Sequence, residues 1–365
     1  MRWDIFCKVI DNFGDVGVCW RLARQLAAEY ALDVRLWLDD PAPLALLAPD
    51  FAAVPVQVCR WRNPLRFNVA AEVVIEAFGC EPPENYLQAM ASRPHPPCWL
   101  NLEYLSAEDW VEGCHGLPSP HPRLPLVKHF FFPGFTKKTG GLLRERDLFV
   151  RQAAFPRRDA LLADWRLTAS PDCLLVSLFC YDSAPLAALF AAWSADSAPL
   201  LCLLPPGKPL AATRAVLGEA PDGWRLGAAG QIRVVPIPFL PQNRYDELLA
   251  RCDLNFVRGE DSFIRAQWAA KPFVWQPYPQ ENGAHPHKLA AFLHRYAADL
   301  PERTGTTLAA FWRDWNAGGA ALSRLWPELR QQLEPLARRG KSWRGHLSAQ
   351  DDLASALVKF CATRV

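Results

Sequence analysis

Two Rossmann-like α/β domains facing a cleft are the expectation for this chain, and three observations carry it. Short apolar segments rich in β-branched residues alternate with segments of helical periodicity, the pattern of parallel strands joined by crossovers. The alternation occurs as two series of similar length, separated by a Pro/Gly-rich passage. The length of 365 residues, at roughly 100–200 residues per domain, also favours two domains.

The first series opens with a strand over Trp3–Ile10, which runs into the turn-forming loop Asp11-Asn12-Phe13-Gly14-Asp15-Val16-Gly17. Val18–Glu29 follows as a helix with Cys19, Leu22 and Leu26 on one face. Strands are expected at Asp33–Leu38, Val54–Val58, Val73–Ala77 and Cys98–Leu105, with helices at Pro83–Met90 and Ala107–Glu112. Alternation weakens over Gly116–Arg158, where prolines cluster and a linker between domains is expected near the end. The second series has strands at Leu174–Phe179, Leu200–Leu204, Ile232–Ile237, Leu254–Val257 and Phe273–Gln276. Its helices are expected at Ala184–Trp193, Leu210–Leu217, Asn243–Arg251 and Phe263–Ala270, with helical sequence from there to the end. Ser348, three residues before Asp351, reads as the start of a last helix striped by Leu353, Leu357 and Phe360. The domains are thus drawn at 1–155 and 160–345, with the helix at about 348–365 able to pack back on the first.

Composition excludes several classes. Half of the residues are hydrophobic and 21% are charged, as in a folded protein with full cores. Lys plus Arg is 40 against 38 for Asp plus Glu, a net charge of +2 that argues against bulk binding to nucleic acid or membranes. Apolar runs such as Leu200–Leu204 fall far short of the roughly 20 residues that span a bilayer, and Asp4, Lys8 and Asp11 interrupt any leader-like run. The 11 cysteines form no C-x-x-C pair and sit mostly in apolar strands, so free thiols and a cytoplasmic setting are expected. The 33 prolines are about twice the number expected from average usage of roughly 5%, and they punctuate loops. The 15 tryptophans are dispersed and read as core. The eight histidines show no metal-ligand spacing. No P-loop, G-x-G-x-x-G or G-x-S-x-G motif is present.

In open α/β sheets ligands sit at the carboxyl ends of strands, which singles out two loops. In the first, Asp11 and Asp15 flank Asn12, Phe13 and Gly14. One aspartate capping the next helix would account for half of that pattern, and a carboxylate pair for acid–base chemistry would account for all of it. From spacing alone both readings stand. The second loop is Arg258-Gly259-Glu260-Asp261-Ser262, between a strand and a helix. A helix N-terminus with a Ser hydroxyl and an Arg fork suits a diphosphate, and a surface ion-pair loop is the alternative. Phe179 and Tyr181, after the first strand of the second series, could stack on a base, and Gln242 could read its edge.

The run Asp11–Arg21, with Arg258-Gly259-Glu260-Asp261-Ser262-Phe263, Phe132-Pro133-Gly134-Phe135 and Pro238-Phe239-Leu240-Pro241-Gln242, resembles the elongation factor P arginine rhamnosyltransferases, the EarP family. The resemblance runs essentially end to end. It implies a GT-B fold and an inverting transfer of L-rhamnose from dTDP-β-L-rhamnose to one arginine of elongation factor P, with no metal and no other cofactor. By the same resemblance Asp15 is the general base and Asp11 its essential neighbour. Phe179, Tyr181 and Gln242 hold the thymidine part of the donor. Arg258, Glu260, Asp261 and Ser262 contact its ribose and diphosphate, and Asn12, Phe13 and Gly14 complete the donor site. Glu260 is the alternative base. Two other readings remain, a GT-B enzyme with another acceptor and an inactive nucleotide-binding module.

Overall fold

The computed structural model describes residues 1–62, 64–279, 283 and 285–364, the side chain of Asn12 excepted. The chain divides into two compact units. One is Met1–Leu148 joined by the chain from Leu347 on, and the other is Phe149–His346.

The first unit is built on seven strands, β1 (Arg2–Cys7), β2 (Asp33–Leu38), β3 (Val56–Arg60), β4 (Val73–Ala77), β5 (Cys98–Leu102), β6 (Pro118–Pro120) and β7 (Val127–Phe131). Their order in the sheet is β3-β2-β1-β4-β5-β7-β6, parallel throughout except for the β6–β7 pair. Order reverses between β1 and β4, which are adjacent although β2 and β3 intervene in the chain. β6 was not expected, because Pro118 and Pro120 read as breakers. They are tolerated there because an edge strand needs donors on one side only.

Helix α1 (Asn12–Tyr30) buries Cys19, Leu22 and Leu26 as anticipated, but it begins inside the segment read as a loop. Gly14 and Gly17 therefore lie within the helix. On the face of the sheet that carries Phe6, a core of Phe6, Trp37, Val74, Tyr86 and Trp99 closes under the helix Glu84–Ala91. A buried ion pair stiffens this core: Arg35 donates to both oxygens of Asp4, at 2.6 Å each, and the Tyr86 hydroxyl donates to the same carboxylate. The last helix runs Leu353–Ala362 and is capped by Asp352, whose Oδ1 accepts the Ser355 N–H at 3.1 Å. Ser348 instead ends the preceding helix, Leu333–Ser348, which corrects the expected start. Gln25 of α1 donates to Asp352 at 2.9 Å and so ties the last helix to the first.

The second unit repeats the plan with β8 (Leu174–Leu178), β9 (Leu200–Leu204), β10 (Trp224–Leu226), β11 (Ile232–Pro236), β12 (Leu254–Arg258) and β13 (Phe273–Gln276). The order is β10-β11-β9-β8-β12-β13, with only the short edge strand β10 antiparallel. Order again reverses beside the first strand, between β8 and β12. Tryptophan fills this core as expected: Trp193, Trp268, Trp312, Trp315 and Trp326 are all at most 2% exposed.

Candidate functional site

In the first unit the chain leaves β1 at Cys7 and reaches α1 through a turn held by two carboxylates. Oδ1 of Asp39, just past β2, accepts the Val9 N–H at 2.9 Å. Oδ2 of Asp15, in the first turn of α1, accepts the N–H groups of Ile10 at 2.9 Å and Asp11 at 2.8 Å. Asp15 thus reaches backward and satisfies donors that the helix start leaves open. Asp11 occupies the cap position, yet its side chain makes no capping bond. Capping therefore accounts for Asp15, which reaches back to the cap residue, and not for the side chain of Asp11.

Asp15 is only 4% exposed. Burial pushes its pKa up, the two backbone N–H bonds pull it down, and the Asp11 and Asp39 carboxylates push it up again, with a net rise. Oδ1 makes no hydrogen bond among the described residues. The arrangement is a desolvated carboxylate pinned by one oxygen with the other available, which is what a positioned base needs. A Cβ at Gly14 would stand 2.7 Å from Oδ2 of Asp11, so the glycine leaves that carboxylate the place it occupies. Phe13 is half-buried in the same turn. Asn12 starts the helix, and its side chain lies outside the described residues.

In the second unit Phe179, Cys180 and Tyr181 leave β8 where Arg258 ends β12, at the strand-order reversal. The Arg258 guanidinium lies over two rings, 4.3 Å from the Phe179 centroid and 4.5 Å from that of Tyr181. It donates one N–H to the Cys180 carbonyl at 3.1 Å. Its other side-chain donors bond no described residue, although the side chain is 93% buried by the 7% exposure of the residue. A desolvated cation with unused donors suits an anionic ligand. The Tyr181 N–H donates to Gln276 Oε1 at 2.8 Å, so Arg258 and Gln276 together fix the loop after β8.

Ser262, expected to face a ligand, is occupied locally. Its hydroxyl donates to the Arg258 carbonyl and accepts the Arg258 N–H at 3.1 Å, closing the turn between strand and helix. Gln242 and Asp261, at the starts of the helices Gln242–Arg251 and Asp261–Ala269, join through Gln242 Nε2 to Asp261 Oδ2 at 3.2 Å. One turn further along, Arg265 grips Asp246 through two bonds of 3.0 and 2.6 Å, and both side chains are at most 2% exposed. Glu260 is half-buried at the cap position of the second helix. Of the two aromatics, Phe179 is half-buried, whereas Tyr181 is 2% exposed and further covered by the edge contact of Tyr278 at 5.6 Å.

The structure therefore groups Asp11, Phe13, Gly14 and Asp15 in one unit, and Phe179, Tyr181, Gln242, Arg258, Glu260, Asp261 and Ser262 in the other. Sequence reasoning missed Asp39, whose only signal was its place after a strand, and Gln276, which ends β13 without any motif. Among the described residues no three His, Cys, Asp or Glu side chains converge as a metal site. No helix among them is long and apolar enough to cross a membrane.

Two Rossmann-like units, each with its polar residues at the strand-order reversal, are the construction of a GT-B glycosyltransferase. The fold is similar to that of MurG from Acinetobacter baumannii, at 15% identity and a TM-score of 0.52 over 100% of both chains. It is also similar to the spinosyn rhamnosyltransferase SpnG, at 14% identity and 0.53 over 98% of this chain and 99% of the other. Within that class the chain belongs to the family described as "Elongation-Factor P (EF-P) rhamnosyltransferase EarP", which matches residues 3–362. Relatives named protein-arginine rhamnosyltransferase are 45% identical in Pseudomonas putida, over 98% of both chains, and 44% identical in Pseudomonas aeruginosa, over 99% and 98%. A solved structure described as "Structural basis for EarP-mediated arginine glycosylation of translation elongation factor EF-P" is 34% identical, with a TM-score of 0.72 over 100% of this chain and 99% of that one.

Proposed function

We propose that this glycosyltransferase moves L-rhamnose from dTDP-β-L-rhamnose to an arginine of elongation factor P with inversion at the sugar carbon. The observation that carries the reading is Asp15, a desolvated carboxylate held by one oxygen with the other available, in a chain of the EarP family.

An arginine side chain is a poor nucleophile because its lone pairs are delocalised and its pKa exceeds 12. Removing the proton at pH 7 costs about 7–9 kcal/mol, which an aspartate cannot supply in the ground state. Asp15 instead accepts a guanidinium N–H as a hydrogen bond and takes the proton while the new C–N bond forms, when that nitrogen becomes acidic. The nitrogen enters opposite the leaving group, the C–O bond to the diphosphate breaks, and the electron pair leaves on dTDP. Asp11, over Gly14, orients the guanidinium fork. Arg258 complements the diphosphate of the bound donor in the ground state as well as the charge that grows on it as the bond breaks. Of the two aromatics Phe179 is the more exposed and the better platform for thymine. Gln242 and Asp261, which bond each other, bracket the remainder of the nucleoside. No metal enters this scheme, and the free thiols suit a cytoplasmic enzyme.

Intact mass of purified elongation factor P after incubation with the protein and dTDP-rhamnose tests the reading. A gain of one deoxyhexose on an arginine is expected. An unmodified acceptor, with donor binding intact, would leave only a nucleotide-binding protein.

A further inference from the structure

The first unit contains a cavity of about 490 Å³ lined by Lys8, Asp39, Trp61, Cys80, Glu81 and Pro83. Lys8 follows β1, Asp39 follows β2, Trp61 follows β3, and Cys80 and Glu81 follow β4. The cavity therefore sits over the carboxyl ends of these strands, including the β1–β4 pair where strand order reverses. Open α/β sheets bind ligands at this place.

The lining residues differ in what they have left to offer. Asp39 is engaged by the N–H groups of Val9 and Asp40, each at 2.9 Å from Oδ1. The Cys80 thiol donates to the Phe6 carbonyl at 3.2 Å, and burial keeps it protonated. Trp61 meets the Phe6 ring edge-on at 5.4 Å and stays half-buried. Glu81 is exposed and makes no side-chain hydrogen bond or ion pair among the described residues. Its backbone, with φ of 31°, follows Phe78 at 59° and Gly79 at 69°, a left-handed turn that carries the carboxylate to the cavity. One ammonium faces two carboxylates, so the lining is net negative. Asp39 is shared ground: it lines the cavity and its charge also acts on Asp15.

We propose that this cavity seats the acceptor arginine in the ground state, with Glu81 pairing one edge of the guanidinium and Trp61 offering a ring face. A guanidinium is planar and carries N–H donors on more than one edge. Glu81 can hold one edge while the reacting nitrogen remains for Asp15. Glu81 then sets affinity for the acceptor, and Asp15 sets the rate. This inference rests on the function proposed above.

The test begins with wild-type protein, elongation factor P and dTDP-rhamnose, and mapping of the modified residue. Steady-state kinetics of Glu81→Gln and Lys8→Ala then follow, with thermal midpoints to confirm folding. Losing a charged partner in Glu81→Gln should raise KM for the acceptor about tenfold, with kcat within about twofold and KM for the donor unchanged. Lys8→Ala, which removes a like charge, should leave acceptor KM equal or lower. A rise in acceptor KM for Glu81→Gln without a rise for Lys8→Ala cannot come from a general disturbance of the cavity lining. Unchanged acceptor KM in Glu81→Gln, or a rise of similar size in both variants, overturns the inference while the function stands. Absence of transfer by the wild type removes both.

Discussion

The Asp15 carboxylate accepts the backbone N–H of Asp11, four residues upstream, at 2.8 Å. Through this bond and its twin to Ile10 the first turn of α1 closes on its own entry. One aspartate thereby shapes the turn that presents the other. The bonds use Oδ2 alone, so under the proposed mechanism the structural and the chemical role fall on different oxygens of one side chain.

Asp15→Asn separates the two roles. The amide oxygen can still accept both N–H groups, so the turn should survive and the thermal midpoint should not fall. The second oxygen becomes an NH₂ that cannot take a proton. Turnover should fall about 10²–10⁴-fold, the contribution of a positioned base, with donor binding by calorimetry nearly unchanged. Transfer at near wild-type rate would move the base elsewhere, with Glu260 the first residue to examine.

The pH profile follows from the direction of the Asp15 shift. Burial and the neighbouring carboxylates hold its pKa above the usual aspartate value, and the working form is the carboxylate. Activity should therefore rise with pH along an acid limb lying above about 3.9, the ordinary aspartate pKa. For stability the sign is opposite. A folded-state pKa above the unfolded one favours the fold at low pH, and that contribution is lost as pH rises through the folded value. An acid limb in kcat/KM at or below the ordinary value would contradict this environment.

Gly14→Ala tests the packing of the aspartate pair. The added Cβ would meet Oδ2 of Asp11 at 2.7 Å, and the end of a side chain yields more easily than backbone. The protein should fold with a thermal midpoint close to wild type, while turnover drops at least about tenfold through displacement of Asp11. Wild-type turnover would show that the position of Asp11 is unimportant.

Arg258→Ala addresses the second unit. Loss of the guanidinium removes the unused donors and the cation between Phe179 and Tyr181, so donor affinity should fall more than kcat for bound donor. In wild type, dTDP at a hundredfold excess over Kd should stabilise the fold by about 2.7 kcal/mol. Phe179→Ala should diminish that effect for dTDP. Equal stabilisation of wild type by GDP would remove the thymine assignment.

Asp246→Ala removes the bidentate partner of Arg265, which is 2% exposed. Stability should fall by about 3–5 kcal/mol, the usual result of removing one partner of a buried ion pair. Paired replacement by Leu and Met should recover much of it. A midpoint insensitive to Asp246→Ala would mean that the two helices are held by packing alone.

Much of this fold is legible in the residues. Val73–Ala77, Leu200–Leu204 and Phe273–Gln276 are strands with the boundaries expected, because segments buried on both faces read as near-continuous apolar runs, with Glu76 and Gln276 the buried polar exceptions. The start of α1 is not legible. Gly14 and Gly17 favour a loop by propensity, and the helix is carried through them by tertiary packing and by the backward bonds of Asp15. Arg258, Phe179 and Tyr181 are each visible as polar or aromatic residues after strands, but their stacking depends on contacts between positions 78 residues apart, as in the Arg258–Cys180 bond.

By itself the sequence determined that the chain is a two-part α/β protein with its candidate site residues in the loops after β1, β8 and β12, since local periodicity and strand-end loops are properties of neighbouring residues. Tertiary structure decided what those loops contain. It desolvated Asp15 and placed both of its backbone bonds on one oxygen. It closed the Ser262 hydroxyl into a turn and placed the Arg258 cation against two rings. It also opened a cavity from residues that follow four different strands. The Ser262 turn and the Asp15 bonds join residues four or five positions apart. The Arg258 stacking and the cavity instead depend on strand order, which brings residues distant in the chain together and which no local pattern encodes.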